Sequence, residues 1–166
     1  KEMELSKKPV LKKTESFGWF DGEKLASQIS VYPMQVNLFG TMYNMGGVTG
    51  VATYPEYMGH GLMAHLMKKA LDNMRENHQC VSMLFPYLIP YYRKKGWEID
   101  SDKMTYTIKD TQLPKHRKVG GMVERVDIDS EDVHRVHDAF SAMRHGALKR
   151  NELEWEEYWR WEADDV

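Results

Sequence analysis

Between residues 61 and 77 the apolar side chains Leu62, Leu66, Met67, Ala70, Leu71 and Met74 return at steps of three and four. Lys68, Lys69, Asp72, Arg75 and Glu76 fill the positions between them, so the segment reads as an amphipathic helix with one core-facing stripe. At 1.5 Å per residue it is about 25 Å long. The chain before it has a different rhythm. Residues 16–20, Asp21-Gly22 and residues 25–32 read as strand, tight turn and strand, because an Asp-Gly pair supplies the positive φ angles of a two-residue hairpin loop. Residues 36–38, Phe39-Gly40 and residues 42–44 suggest a second hairpin. Gly46-Gly47 then opens a run rich in Val and Thr over residues 48–54 that Pro55 stops, the pattern of a largely buried strand at the sheet's centre.

Beyond the long helix, residues 80–85 form a short apolar run of strand length. Residues 88–95 look like a short helix ending at Gly96, and residues 103–108 alternate as a strand. An antiparallel meander followed by strand, helix, strand, helix and strand predicts a mixed α/β fold of the α+β kind. Residues 112–121, with Pro114, two glycines and several basic side chains, read as a linker between domains. After it, residues 122–126 are strand-like. Ser130 is placed to cap a helix over 131–143, and Trp155 and Trp159 sit four apart in a second helical stretch, 153–161. About 45 residues make a poor independent core. The division expected is therefore a first domain over 1–111, a linker over 112–121, and the opening of a second domain over 122–166. The alternative is that residues 122–161 fold back to supply opening elements of the first, as in a circular permutation.

Composition narrows the function classes. The 166 residues are 42% hydrophobic and 29% charged, an ordinary globular balance. Twenty-three Lys plus Arg against 25 Asp plus Glu, with no basic stripe interleaved with aromatics, argue against a nucleic-acid partner. Apolar runs fall far short of the roughly 20 residues that span a bilayer, which argues against a membrane-embedded chain. A single cysteine, Cys80, cannot form an intramolecular disulfide and fits a cytoplasmic location. Opening a buried strand, it reads as a core thiol. His134 and His137 share a helical face, but no carboxylate or cysteine set completes a metal site, so they read as surface histidines and no metal is expected.

The segment that carries chemistry is Thr49-Gly-Val-Ala-Thr-Tyr-Pro-Glu-Tyr-Met-Gly-His-Gly-Leu-Met-Ala-His-Leu-Met67: strand, glycine loop, helix. Amides emerging from such a loop at a helix N-terminus form an anion cradle, to which the helix dipole adds about half a positive charge. A diphosphate fits it. Two glycines can also simply make a tight turn. Neither the P-loop nor a full Gly-x-Gly-x-x-Gly pattern is present.

These residues resemble the acetyl-CoA signature of the GNAT N-acetyltransferase superfamily, Val-x-x-x-Pro-x-x-Arg/Gln-x-x-Gly-x-Gly/Ala. Val51, Pro55 and Gly61 match it, and Met58 and Met63 depart from it. The absence of a cation at Met58 weakens the expected grip on the diphosphate, which His60 can restore only when protonated. A narrower resemblance, over residues 21–106 and again over 123–159, is to the two-GNAT-domain family of the enhanced intracellular survival aminoglycoside acetyltransferases. Leu62-Met63 and Tyr92-Arg-Lys-Lys-Gly-Trp97 look like its elements, as do Phe140, Arg144, Gly146 and Arg150.

The resemblance implies a GNAT acyl-CoA N-acyltransferase fold using acetyl-CoA as co-substrate, with a small polyamine, an aminoglycoside or a protein lysine as acceptor. In it Tyr92 protonates the departing thiolate; packing of the Tyr92 ring against the helix is the plainer reading. Val51, Ala52 and Thr53 would pair with the pantetheine arm, provided the strand edge there splays open. Met58, Gly59, His60, Gly61, Leu62, Met63 and Ala64 would surround the diphosphate, and Tyr87 and Leu88 would touch the cofactor again. The family's general base is the C-terminal carboxylate of the complete chain. The resemblance thus implies a homo-oligomer, a hexamer in that family, and a longer protein of which these residues are part, inactive or nearly so when isolated. The contrasting class is a non-catalytic GNAT-like module that senses acyl-CoA or serves assembly.

Overall fold

The computed structural model describes residues 13–102, 104–113, 125–127, 130–152 and 154–155. Its first three strands form an antiparallel meander: β1 (Glu15–Asp21), β2 (Lys24–Leu38) and β3 (Thr41–Thr53). Where the sequence pattern suggests two separate hairpins, the strands run on without a break. Residues 25–32 and 36–38 belong to one 15-residue strand, and Gly46-Gly47 lie inside β3 rather than before it. Pro33 does not interrupt β2, because it sits at a place where its lost amide is needed by neither neighbour: β1 pairs no further than Val31 and β5 begins opposite Gln35.

The loops obey local chemistry. The first is Gly22-Glu23, with Gly22 at φ +60° and Asp21 still paired to Lys24, one residue later than the Asp-Gly reading places it. The second is Phe39-Gly40, both at positive φ (51° and 86°), the backbone of a type I′ turn, so Phe39 holds a conformation that a side chain disfavours. His145 stacks on the Phe39 ring at 4.0 Å and accepts from its amide through Nδ1 at 3.2 Å.

After β3 the chain makes a 3₁₀ turn (Pro55–Tyr57), the glycine loop, then α1 (Leu62–Glu76). Its stripe of Met63, Leu66, Met67, Ala70 and Met74 is buried with Ile29, Val31 and Val48 of the sheet, forming the core that also takes in Tyr92. Leu71, counted on that stripe from the sequence, points to solvent. Gly46 lets α1 come close, since a Cβ there would meet the Met74 sulfur at 2.7 Å.

β4 (Val81–Leu84) then pairs parallel with β3, and α2 (Ile89–Arg93) follows. The order β1-β2-β3-β4 makes β4 the edge strand among the described residues, and it is only half-buried. Cys80, just before it, is exposed rather than a core thiol. The strand expected over 103–108 is absent at its described residues: 104–108 join no ladder among the described residues, and Met104, Tyr106 and Ile108 are exposed. Alternation without a partner strand leaves the backbone bonds to water.

Most of the linker, residues 114–121, and most of the strand-like stretch 122–126 lie outside the described residues. So does most of the helical stretch 153–161, of which 154 and 155 are helical. The helix capped by Ser130 is α3 (Glu131–Met143), and the Ser130 Oγ accepts from the Val133 amide at 3.4 Å. β5 (Leu148–Lys149) pairs with Gln35 and Val36 of β2, on the edge that β1 has vacated. Asn37, 1% exposed, joins this segment to the sheet: its Nδ2 donates to the carbonyls of Ser141 and Ala142 at 2.8 and 2.7 Å, and its Oδ1 accepts from the Gly40 amide at 2.8 Å. Two of the carbonyls that the helix leaves unpaired at its C-terminus are met by one amide side chain.

The two histidines of α3 are not on a free surface either. His134 stacks on Trp155 at 4.2 Å, His137 meets the same ring edge-on at 5.0 Å, and Arg150 lies over it at 4.7 Å. Burial, with Arg150 nearby, pushes the His137 pKa below its ordinary value. Among the described residues no helix is long and apolar enough to cross a membrane, and no group of three or more His, Cys, Asp or Glu is placed to hold a metal ion.

Candidate acyl-coenzyme A site

β3 and β4 stay together only from Met45 opposite Val81 to Val48 opposite Leu84. On its other side β3 remains bonded to β2 as far as Thr53. The cause is a bulge. Gln28 pairs with Ala52 and Ser30 with Thr49, so Gly50 and Val51 together oppose Ile29 alone, and Gly50 takes φ +58°. Such an insertion bends its strand. It carries residues 49–53 away from β4 and leaves the β4-facing edge of Val51, Ala52 and Thr53 without a partner strand among the described residues, where an extended segment can be added. Thr53 Oγ1 is tied to Ser27 Oγ at 2.7 Å and Ser27 Oγ also donates to the Ala52 carbonyl at 3.1 Å, which fixes the strand from behind.

The glycine loop lies at the end of this edge. Gly59 and Gly61 both take left-handed φ values, +82° and +78°, and a Cβ on either would meet nothing within 4 Å. Gly61 is the N-cap of α1 and offers no side chain to its first amides. The Gly61 carbonyl accepts from the amides of Ala64 (3.0 Å) and His65 (3.3 Å), whereas the amides of residues 59–63 find no acceptor among the described residues. Ala64 is therefore part of the loop's lining rather than a free donor. Donors grouped at the positive end of a 15-residue helix, in open space, match what a diphosphate needs. Met58 is 61% exposed and His60 is exposed, so neither is held against the loop by packing. Met63 is buried in the core, and only its backbone amide faces this role.

Tyr92 sits on α2. Its ring is 7% exposed within the cluster that holds Val48, Met63 and Leu66, with Val51 and Leu84 at the margin of the same cluster. Tyr91 and Trp97 meet it edge-on at 5.3 and 6.4 Å. Its hydroxyl has no hydrogen-bond partner among the described residues, and burial pushes its pKa above the ordinary phenol value. Ring packing and a free hydroxyl are thus both realised in one residue. Trp97 Nε1 donates to Ser82 Oγ at 3.2 Å, which ties the end of the Tyr92-to-Trp97 element back to β4. Tyr87 (97% exposed) and Leu88 lie on the connection between β4 and α2, free of the core.

Gly50 escapes a reading by alternation alone, although an isolated glycine within a strand pattern is the signal of a bulge. A separate cavity of about 430 Å³ lies near Asn73, Asn77, Met34 and Lys149, at the other end of α1, and takes no part in this arrangement.

Residues 1–99 match the family model described as an acetyltransferase (GNAT) domain, which covers more than half of the chain. The protein belongs to the GNAT acetyltransferase family. Among solved structures, the GNAT chain matches a conserved protein of unknown function from Enterococcus faecalis V583, described as a probable N-acyltransferase. The identity is 32% and the TM-score 0.79, over 95% of this chain and 40% of that one. The chain thus spans well under half the length of that relative. Two further matches share the fold at low identity. Glucosamine-6-phosphate N-acetyltransferase of Arabidopsis thaliana is 15% identical, with a TM-score of 0.52 over 65% of this chain and 78% of that one. A predicted acetyltransferase of Clostridium acetobutylicum, solved with acetyl-CoA, is 12% identical, with a TM-score of 0.52 over 63% and 71%. No curated protein sequence matches the chain.

Proposed function

We propose that this GNAT chain forms the acetyl-CoA half of an N-acetyltransferase that moves an acetyl group directly to a primary amine. The observation that carries the reading is the parting of β3 from β4 after Val48, beside a glycine loop whose amides at residues 59–63 meet no acceptor among the described residues. In the bound state the co-substrate supplies an activated thioester. The β3 edge at Val51, Ala52 and Thr53 aligns the pantetheine arm by backbone hydrogen bonds, and an amide there can stabilise the thioester oxygen as charge develops on it. The amides of residues 59–63 hold the diphosphate. Tyr92, raised above the ordinary phenol value and so fully protonated at neutral pH, donates its proton to the leaving sulfur. A small polyamine or aminoglycoside, as in the enhanced intracellular survival family, or a protein lysine is the acceptor; it attacks as the neutral amine, the C–S bond breaks as the C–N bond forms, and the proton the nitrogen sheds passes through solvent and restores the Tyr92 phenol.

Met58 favours a second reading, a module that binds acyl-CoA without turning it over, because no cation reaches the loop at that position. Calorimetry with acetyl-CoA, then thiol release with a panel of amines in the protein carrying this chain, separates the two. Binding with release supports the enzyme, and binding without release supports the sensor. In the enzyme, Tyr92→Phe should lower turnover by about 10² to 10⁴ while acetyl-CoA still binds; full turnover in that variant removes Tyr92 from the chemistry.

A further inference from the structure

The glycine loop is gripped at both ends by the β1–β2 hairpin. At its entrance the Tyr57 hydroxyl donates to Asp21 Oδ2 at 2.8 Å, the Tyr54 amide donates to the Ala26 carbonyl at 3.0 Å, and Lys24 Nζ pairs with Glu56 at 2.6 Å. The same ammonium lies 5.2 Å from the centre of the Tyr57 ring and 5.4 Å from that of Tyr54. At its exit, His65 Nδ1 stands 3.0 Å from the Gly61 carbonyl. A carbonyl can only accept, so Nδ1 carries the proton. The His65 ring rests against Trp19 of β1 at 5.7 Å. Trp19 and Asp21, two residues apart at the end of β1, therefore reach the two ends of a loop that is otherwise exposed.

The exit contact has a direct consequence for the cradle. The Gly61 carbonyl and the Leu62 amide belong to one planar trans peptide, whose C=O and N–H point in opposite directions. Three donors, the amides of Ala64 and His65 and the His65 ring, hold that carbonyl toward the helix. The Leu62 N–H is thereby aimed out into the loop's open space.

We propose that the tip of the β1–β2 hairpin sets the shape of the diphosphate cradle, with His65 and Tyr57 as positioning residues that never touch the ligand. The proposal rests on the coenzyme A reading of the loop. Its test is calorimetry on the 166-residue chain with coenzyme A and, in parallel, with pantetheine, which lacks the diphosphate. His65→Leu should weaken coenzyme A about 5- to 10-fold and Tyr57→Phe about 3-fold, with pantetheine unchanged for both, since each loses one hydrogen bond that acts only through the amides. His65→Asn, which can still donate to the Gly61 carbonyl, should recover most of the loss. Equal weakening of coenzyme A and pantetheine, or unchanged coenzyme A affinity in both variants, overturns the positioning role while leaving the site assignment intact. Failure of the unaltered chain to bind coenzyme A at all overturns the site assignment, and the positioning role with it.

Discussion

Replacing Asn37 by Ala tests how the segment carrying α3 and β5 is fastened to the sheet. The substitution removes three side-chain hydrogen bonds in a place that is 1% exposed. Two of them, to the Gly40 amide and the Ala142 carbonyl, can be partly replaced by water because Gly40 and Ala142 are exposed; each costs about 1 kcal/mol. The third leaves the carbonyl of buried Ser141 without a donor, which costs about 2 kcal/mol. The expected loss is about 4 kcal/mol, and with a urea slope of about 2 to 3 kcal/mol/M the midpoint falls by about 1.5 M. Amide hydrogen exchange should localise it: the amides of α3 lose protection more than those of β2 and β3, since only the former depend on the tether. Coenzyme A affinity should stay within about twofold, because Asn37 lies at the hairpin tip remote in β2 from the bulge at Gln28 and Ser30. A midpoint within 0.2 M of the parent, an error of roughly 0.5 kcal/mol by the same slope, would refute the capping role of Asn37.

Three further outcomes follow from the geometry. Gly61→Ala should cost about 1 to 2 kcal/mol in stability, from the left-handed φ alone, yet weaken coenzyme A by a larger factor because its Cβ enters the space the ligand needs; thermal melts and calorimetry on one preparation compare the two. Cys80, being exposed, should react completely with a thiol reagent in the native chain without denaturant, and slow labelling would show the strand start to be covered. Glu98, held by Arg93 and by the Ile99 amide, should titrate at about 2 by carboxyl NMR shifts. Its folded pKa lies below the unfolded value near 4.3, so the stabilisation it gives is present above that value and fades as pH falls toward 2; Arg93→Gln should return its titration to the ordinary range.

The elements with strong internal periodicity are legible in the amino-acid order itself. α1 announces itself because five of its six counted stripe positions share one buried or half-buried face, and α3 because Ser130 is a capping residue placed just before an amphipathic run. The glycine loop was readable for the same local reason: positive φ at residues 59 and 61 is a property of glycine itself. What depended on partners was hidden. The continuity of β2 and β3 through Pro33 and Gly46 is decided by which edges are paired, not by the residues alone. Cys80 and Phe85 look like core because they end an apolar run, but among the described residues β4 is the edge strand and both are exposed. The brace of Trp19 and Asp21 on the loop joins residues about 40 positions apart, a distance across which neither alternation nor composition carries information.

The extra residue at Gly50 also changes the arithmetic of the strand that contains it. Val48 is buried under α1, and Val51, three positions on, is packed against the same cluster, an odd spacing that an unbroken strand forbids because its side chains change face at every step. One inserted backbone unit thus hands the downstream half of β3 the opposite parity. A chain shortened by that single glycine would set Val51 two steps after Val48, so Val51 would still face inward and Ala52 outward, but on an unbroken ladder without the bend that parts β3 from β4; the extra residue therefore encodes the opening itself and leaves the choice of inward side chains unchanged.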